Sequence, residues 1–328
     1  MKTTRFNQLL PWHIPYWQQW QHYLALDNIP HALLLAGPHG LGKQQFAHYL
    51  SQSLVCQSTT PHIPCGRCQS CHQVIMAQHP AIHYLAPEDK YITIEAIRNL
   101  IGKTHLTTKS WQIFLIRSAD TMHPAAANAL LKTLEEPTPN TLILLTSAAP
   151  QRLPATIRSR SQKILFSAAE TTSALQWLQQ QQPKIDWQPL LALSSNAPLA
   201  AIQAFETSRL NDIQQLVEHF TQLRANKSQL SQIVALLTKR PILQVFDDIA
   251  CICYDMARLS VQKTNTENKH LLFLPTEISK LSTLAQHICL SQLLHFIDQL
   301  HQLQSQLQHN LNPTIVLEQL ILHWLTLT

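Results

Sequence analysis

The sequence predicts an α/β domain built on a parallel sheet, followed by a small helical domain and a larger helical bundle. In the first half of the chain, short apolar runs alternate with helical patterns, which is typical of a parallel sheet covered on both faces. From about residue 168 the strand-like runs disappear, and amphipathic helical patterns continue to the C-terminus. The first apolar run leads into a glycine-rich loop and then a helix, which is the order of elements in a phosphate-binding loop.

The strands and helices of the first domain follow one another in a regular order. Helical patterns cover residues 43–56, 93–105 and 122–135. Apolar runs predict five strands, at residues 31–36, 81–87, 111–117, 141–147 and 162–166. Each predicted helix lies between two predicted strands, as a parallel sheet requires.

The remaining residues predict two helical regions. The first contains three short helical patterns, which are interrupted near Pro183 and at Asn196-Ala197-Pro198. The second contains longer amphipathic patterns that are rich in Leu, Ile and Gln. The predicted domains are therefore residues 1–167, 168–207 and 208–328.

Composition narrows the class of protein. Hydrophobic residues make up 45% of the chain, as in a globular protein, while charged residues make up only 13%, against about 25% on average. The net charge of +5 indicates mild attraction to polyanions, not a protein that coats nucleic acid. No apolar run approaches the ~18 residues of a membrane span, and the N-terminal residues show no signal-peptide pattern. We therefore expect a cytoplasmic protein without a membrane partner.

Four of the seven cysteines predict a metal site. Cys56, Cys65, Cys68 and Cys71 lie within 16 residues. Two thiols separated by two intervening residues can bind one tetrahedral ion. The loop has little apolar sequence of its own, so a bound metal would supply its folding energy. We expect one structural Zn²⁺ per chain, with no coordination position open for catalysis. The alternative is four unrelated reduced cysteines.

The glycine-rich loop predicts a degenerate nucleotide site. Three of the five glycines lie in GPHGLGK (37–43), where Gly37, Gly42 and Lys43 match the requirements of a phosphate-binding loop. Gln44 follows where Ser or Thr normally supplies the hydroxyl ligand of Mg²⁺. The loop could therefore cradle phosphates, but Gln44 would misplace the metal and weaken ATP binding.

Three motifs resemble a known family. Residues 123–137 have the sequence HPAAANALLKTLEEP, which is followed by TLILLTS (141–147) and PATIRSRS (154–161). This succession resembles the clamp-loader branch of AAA+ proteins in bacterial DNA polymerase III, and NLNPTIVLEQLIL (310–322) extends the resemblance to the C-terminal region. The resemblance implies a RecA-like α/β domain, a three-helix lid and a C-terminal helical collar for oligomerisation, in agreement with the three regions above.

The resemblance also implies that the chain has no intrinsic ATPase activity. In active relatives, two acidic residues end the third strand; one supports Mg²⁺ and the other positions the attacking water. The matching positions here are Arg117 and Ser118, which cannot replace carboxylates. Asp120 lies too far along the chain to take either role without a change of register. Leu199 stands where motor subunits carry a lid arginine that faces the γ-phosphate.

The arginines of PATIRSRS acquire a role from the same resemblance. In these assemblies the arginine of a Ser-Arg-Cys motif reaches into the ATP site of the neighbouring subunit. The match makes Arg160 the candidate arginine finger in trans, with Ser161 in place of cysteine. Arg158 remains a competing candidate, with a phosphate or surface contact as its alternative role.

Three lysines are candidate DNA contacts. Lys132 lies on the LLKTLEEP helix, and Lys103 and Lys109 flank the sequence THLTT. A helix cation that faces a central channel could contact a DNA phosphate. A solvated lysine on a helix surface is the alternative for each of them.

The implied function is that of a non-hydrolysing structural and regulatory subunit of the clamp loader, which loads the sliding clamp onto primed DNA. Its implied partners are the gamma or tau ATPase subunits and the delta subunit in a hetero-oligomeric ring. The sliding clamp and primer-template DNA are reached through that complex. The alternative is an active AAA+ motor, similar to gamma or tau, that uses Lys43. A third hypothesis, a nucleic-acid-binding cysteine module, has only Arg67 as a cation in its favour.

Overall fold

The computed structural model describes residues 8–58, 63–88, 90–102, 111–261, 272–286, 288–306 and 312–327, except for the side chains of residues 227 and 305. The chain forms two compact units, Met1–Trp177 and Leu178–Thr328. The first contains a parallel sheet flanked by helices, and the described residues of the second contain helices but no strand. The predicted α/β class followed by a helical region is therefore confirmed. The three predicted domain boundaries stay predictions.

The first unit contains five described strands, at the positions that the apolar runs predict. They are β1 (Ala32–Ala36), β2 (Ile82–Leu85), β3 (Gln112–Ile116), β4 (Thr141–Ser147) and β5 (Gln162–Leu165). The described helices are α1 (Ile14–Ala25), α2 (Lys43–Val55), α3 (Gln69–Ile75), α4 (Ile94–Ile101), α5 (Pro124–Glu135) and α6 (Ala155–Arg160). Helix α7 (Thr171–Gln181) contains the boundary between the two units.

The five strands form one parallel sheet in the order β2-β3-β4-β1-β5. Strands β1, β3 and β4 lie in the centre and are buried along their whole length, which explains their continuous apolar sequences. One face of the sheet packs in a core with α4, α5 and α6. Helix α2 packs against β1 and β4. The carboxyl ends of β1, β3 and β4 therefore meet at one edge, where ligands bind in open α/β sheets.

Local sequence signals position the ends of the helices. Gly42 adopts a left-handed conformation (φ +79°) before α2. Oγ1 of Thr93 accepts a hydrogen bond from the backbone N–H of Ala96 (3.3 Å) at the start of α4. Pro124 occupies the first turn of α5, where a missing N–H costs nothing. Helix α5 ends two residues before Pro137, which cannot continue it.

The second unit contains helices around one apolar core. Beyond α7 the described helices are α8 (Trp187–Leu193), α9 (Pro198–Glu206), α10 (Arg209–Ala225), α11 (Leu230–Leu237), α12 (Ile242–Val261), α13 (Ile278–Ala285), α14 (Leu290–Gln306) and α15 (Pro313–Leu327). The buried carboxylate of Asp248 pairs with Arg209 (2.8 Å) and also with Arg240. Because a buried charge needs partners, these pairs tie α10 and the turn after α11 to α12.

None of the helices that the described residues form combines the length and the apolar character that crossing a lipid bilayer requires.

Candidate functional site

The loop between β1 and α2 needs glycine at two positions because other parts of the chain approach it closely. A Cβ atom on Gly37 (φ +146°) would lie 2.3 Å from the carbonyl oxygen of Phe166. A Cβ atom on Gly42 (φ +79°) would lie 2.8 Å from Cδ1 of Leu10. Both contacts are shorter than non-bonded atoms tolerate. The glycines are therefore required by packing within this chain, whether or not a phosphate binds.

Lys43 directs its ammonium group to the loop itself. Its Nζ donates hydrogen bonds to the carbonyl oxygens of Gly37 (2.6 Å) and Pro38 (2.7 Å). Burial lowers the pKa of Lys43 to about 8, and the nearby carboxylate of Asp120 acts in the opposite direction. The cation that would bind the β- and γ-phosphates in a working site is satisfied by backbone groups.

Residues before α1 also fasten the loop. The indole Nε1 of Trp12 donates to the carbonyl oxygen of Leu41 (2.9 Å), and Nε2 of His13 lies 2.7 Å from the same oxygen. Burial lowers the pKa of His13 to about 4, so the ring is neutral at pH 7. We assign the proton to Nε2, because only that tautomer donates to Leu41. The loop is thus held in one conformation by two aromatic side chains.

Neither of the two residues that directly follow β3 carries a carboxylate. The exposed Arg117 follows the strand, and Ser118 adopts a left-handed conformation (φ 48°), with its N–H donating to Oγ1 of Thr146 (3.2 Å). Asp120 is the acidic residue that follows, and its Oδ1 accepts a hydrogen bond from the N–H of Ala148 (3.2 Å). Arg117 and Ser118 are at the two positions where a hydrolytic site would need a metal-supporting and a water-positioning group.

The turn after β3 brings Asp120 towards the glycine loop, which sequence reasoning missed. Burial lowers the pKa values of Lys43 and His39, and the nearby carboxylate of Asp120 partly opposes this effect in both. Ser118 adopts a left-handed conformation directly before the short 3₁₀ helix Ala119–Thr121, which contains Asp120. A left-handed serine leaves no clear sequence signal, so the nearness of Asp120 to the glycine loop is not predicted from the sequence.

The two other nucleotide-related positions lie on different units. Gln44 is half-buried in the first turn of α2, directly after Lys43. Leu199 lies in the first turn of α9, which belongs to the second unit. A neutral amide and an aliphatic side chain therefore stand where a metal-binding hydroxyl and a lid arginine are expected.

Arg160 lies at the end of α6 and contacts its own chain through two of its nitrogen atoms. Its Nη2 forms an ion pair with Oε1 of Glu135 (2.8 Å), and its Nη1 donates to the carbonyl oxygen of Thr156 (3.2 Å). The side chain remains 37% exposed. Arg158, the competing candidate, has a buried Nε without a hydrogen-bond partner among the described residues.

Of the three lysines predicted to contact DNA, Lys132 lies among the described residues. Lys132 is exposed in the last turn of α5, on the same helix as Glu135. Lys103 and Lys109 lie outside the described residues. An exposed lysine is compatible both with a phosphate contact and with a solvated helix surface, so the role of Lys132 stays a prediction.

The four cysteines of the predicted module converge. The Sγ atoms of Cys56, Cys65, Cys68 and Cys71 all lie within 4.8 Å of one another, and those of Cys56 and Cys68 are 4.0 Å apart. Four thiolates at ~2.3 Å around one tetrahedral Zn²⁺ would be about 3.8 Å apart. The cysteines can therefore hold a metal ion with only a small contraction.

Backbone groups support negative charge on these sulfurs. The N–H groups of Cys65, Cys68 and Cys71 donate at 3.4 Å to the Sγ atoms of Cys56, Cys65 and Cys68, respectively. Backbone N–H groups of Arg67 and Cys68 lower the pKa of Cys65 to about 6. Burial raises the pKa of Cys71, which makes an uncompensated thiolate costly there. A bound cation would remove that cost, so the donor set fits Zn²⁺.

Sequence comparisons place the chain in a family. A family model described as DNA polymerase III, delta subunit, matches residues 12–170. The DNA polymerase III subunit delta' of Pseudomonas aeruginosa is 30% identical over 330 residues, which cover 95% of this chain and 97% of that protein. The chain belongs to the family of DNA polymerase III delta' subunits. The delta' family therefore extends over both compact units of this chain.

Two further comparisons are with proteins named as other subunits of DNA polymerase III or as related to them. The DNA polymerase III subunit tau of Escherichia coli is 32% identical over 139 residues, which cover 42% of this chain and 22% of that protein. A solved structure described as a DNA polymerase III, gamma subunit-related protein from Thermotoga maritima covers 94% of this chain and 99% of that chain. Its sequence identity is 14% and its TM-score is 0.43. The assignment to the delta' family therefore rests on sequence.

Proposed function

We propose that this chain is a clamp-loader subunit of DNA polymerase III that does not hydrolyse ATP and that supplies Arg160 to the ATP site of a neighbouring subunit. Membership of the delta' family supports the clamp-loader part of this proposal. The proposed partners are gamma or tau ATPase subunits and a delta subunit in a hetero-oligomeric ring. That ring would act on the sliding clamp and on primer-template DNA.

The observation that carries the non-hydrolysing part is the end of β3. Hydrolysis of ATP needs a carboxylate that supports Mg²⁺ and a second group that positions the attacking water. Arg117 repels a divalent cation, and the hydroxyl of Ser118 is far too weak a base to accept a proton from water. Asp120 is the nearest acid along the chain, but it lies two residues beyond Ser118, where its Oδ1 accepts a hydrogen bond from the N–H of Ala148.

The glycine loop supports the same conclusion independently. Two of the three N–H donors of Lys43 are bonded to loop carbonyls, so a phosphate that used the whole ammonium group would have to displace those carbonyls. Hydrogen bonds from a charged donor contribute about 1.5–3 kcal/mol each, so their loss opposes nucleotide binding. Gln44 offers no hydroxyl to Mg²⁺ after the phosphates have bound. We therefore expect weak nucleotide binding at most.

Arg160 meets the requirements of an arginine finger that acts in trans. Its guanidinium lies at the end of a helix and is partly exposed, so a neighbouring subunit can reach it. An arginine held against the transferring phosphate contributes about 10³–10⁵ in rate. This contribution needs no working ATP site on the arginine's own chain. The two parts of the proposed function are therefore compatible.

The structural role of the cysteine module completes the proposal. We propose that Cys56, Cys65, Cys68 and Cys71 hold one Zn²⁺, which would order the loop between α2 and α3. Four thiolate ligands leave no position open for a substrate. The metal would therefore stabilise the fold and take no part in ATP chemistry.

ATP turnover by the isolated chain tests the non-hydrolysing part. We expect no turnover above background, and no difference between the wild-type chain and the Lys43→Ala variant. The rival function, an active motor similar to tau, predicts steady-state turnover that disappears in Lys43→Ala. That result would refute the proposal. Turnover that persists in Lys43→Ala would instead indicate a contaminating ATPase.

A further inference from the structure

The guanidinium of Arg160 is oriented by its own chain. Oε1 of Glu135 lies 2.8 Å from Nη2, and the carbonyl oxygen of Thr156 accepts from Nη1 at 3.2 Å. We propose that Glu135 is a positioning residue, which holds this guanidinium so that its remaining N–H groups face a phosphate of the neighbouring subunit. The inference rests on the proposed role of Arg160 as an arginine finger.

The donor count of the guanidinium supports positioning. An arginine side chain has five N–H groups in a rigid planar fork. The contacts with Glu135 and Thr156 use one N–H each, on two different terminal nitrogens. Three N–H groups are then left for other acceptors, and 37% of the side chain is exposed. The guanidinium is thus held through two of its N–H groups while its side chain stays partly exposed.

Both ends of the ion pair are attached to the same buried core. Glu135 ends α5 and Arg160 ends α6, and these two helices pack against each other. Leu134, next to Glu135, is 2% exposed, and Ile157 on α6 is fully buried in the same apolar cluster. A group placed by packed helices is held more precisely than one placed by a mobile loop.

The position of Glu135 is not explained by the stability of its helix. The carboxyl end of a helix carries a partial negative charge, so an acidic residue there is unfavourable. Pro137 already ends α5, and Glu136 next to it forms no ion pair among the described residues. The favourable contact of Glu135 in this structure is with Arg160. Arg158 has no carboxylate partner among the described residues, so Glu135 distinguishes the two arginines.

The strength of the pair suits a positioning role. The side chains of Glu135 and Arg160 are 50% and 37% exposed, so water and salt screen their attraction. A pair of this kind restricts the rotamers of arginine but does not withhold it from a doubly or triply charged phosphate. We therefore expect a lower rate, not a higher one, when the carboxylate is removed.

The test is the DNA-stimulated ATPase activity of a clamp loader reconstituted with the Glu135→Ala variant of this chain. We expect hydrolysis at the site that Arg160 enters to slow about twofold to fivefold, with an unchanged KM for ATP, because the finger acts in the transition state. The rate of the whole complex should fall by less than it does with Arg160→Ala. The matched control is Glu136→Ala, which removes an adjacent exposed carboxylate and should leave the rate at the wild-type value. Glu135→Gln retains one acceptor oxygen and should give an intermediate rate.

A double-mutant cycle separates the possible failures. If Glu135 acts through Arg160, Glu135→Ala causes no further loss in an Arg160→Ala background. A wild-type or raised rate in Glu135→Ala, with a slow Arg160→Ala complex, would overturn the positioning role and leave the finger intact. A wild-type rate in Arg160→Ala would refute the finger itself and the inference with it. Additive losses would show that Glu135 acts elsewhere, which also overturns the inference.

Discussion

Single residues of the glycine loop have two separate explanations, one from packing and one from chemistry. Gly37 and Gly42 are required because Phe166 and Leu10 occupy the space of a Cβ atom. Lys43 takes part in neither packing contact. Its ammonium group donates hydrogen bonds to two loop carbonyls, and a phosphate would compete for the same donors. The loop therefore keeps its shape for reasons that do not involve ATP. Its resemblance to a phosphate-binding loop is no evidence of turnover.

Substitution of Gly37 tests the packing explanation. We predict that Gly37→Ala lowers the free energy of unfolding by about 2–4 kcal/mol, because its Cβ would meet a backbone oxygen at 2.3 Å and its φ of +146° is strained for alanine. Gly102→Ala is the matched control, since no atom of the described residues lies within 4 Å of its Cβ position and its φ is −53°. Urea denaturation should show Gly102→Ala unchanged or slightly stabilised. Equal stabilities for the two variants would contradict the packing explanation.

Residues differ in how far the sequence predicts their roles. The sequence predicts that Arg117 and Ser118 follow a buried strand, and they do, while their lack of a catalytic role stays a prediction from the resemblance. The proximity of Asp120 to Lys43 is not predicted, because it depends on the path of the chain after the left-handed Ser118. The pair of Glu135 with Arg160 joins residues 25 positions apart in the chain, and it exists only because α5 and α6 pack together.

At the scale of secondary-structure elements, we propose that the cysteine module depends on a bound ion for its stability. Cys68 caps α3, because its Sγ accepts a hydrogen bond from the N–H of Cys71. Cys71 is buried in α3, whereas the other three cysteines are partly exposed. The module has little apolar surface of its own, so its stability should come from ligand bonds to a metal.

Metal content tests this dependence directly. We predict one zinc per wild-type chain by elemental analysis, and a loss of zinc in Cys68→Ser because hydroxyl replaces a thiolate ligand. Cys289→Ser is the matched control, because Cys289 is exposed and lies outside the cluster. It should retain zinc and the wild-type melting temperature. Wild-type chains without zinc, purified under reducing conditions without chelator, would contradict the metal assignment.

The elements themselves are predicted unevenly. All five strands are predicted to within two residues of their observed ends, and for β1, β3 and β4 continuous burial explains the uninterrupted apolar sequence. Helix α5 begins at Pro124 and not at residue 122, because His123 caps it through Nδ1, which accepts from the N–H of Ala125. Helices α1, α3 and the six-residue α6 are not predicted from the sequence. Helix α1 is rich in Gln and Trp, and α3 is only seven residues long, so neither has a clear apolar period.

At the scale of the whole molecule, the chain has an α/β unit, in which Arg117 and Ser118 follow the third strand, and a second unit whose described residues form helices. The delta' family covers both. The arginine that we propose for ATP hydrolysis lies on α6, away in sequence from the glycine loop. The molecule would therefore contribute to hydrolysis only as part of an assembly, which explains how a degenerate loop and a positioned arginine coexist in one chain.

The most direct measurement is the DNA-stimulated ATPase rate of a clamp loader reconstituted with the Arg160→Ala variant. We predict that hydrolysis at the site which Arg160 enters falls by about 10³-fold or more. The complex should therefore lose at least the fraction of its ATPase rate that this site contributes. Arg158→Ala, in the same assay, should cause a much smaller change. A complex with Arg160→Ala that assembles normally and hydrolyses ATP at the wild-type rate would contradict the proposed function.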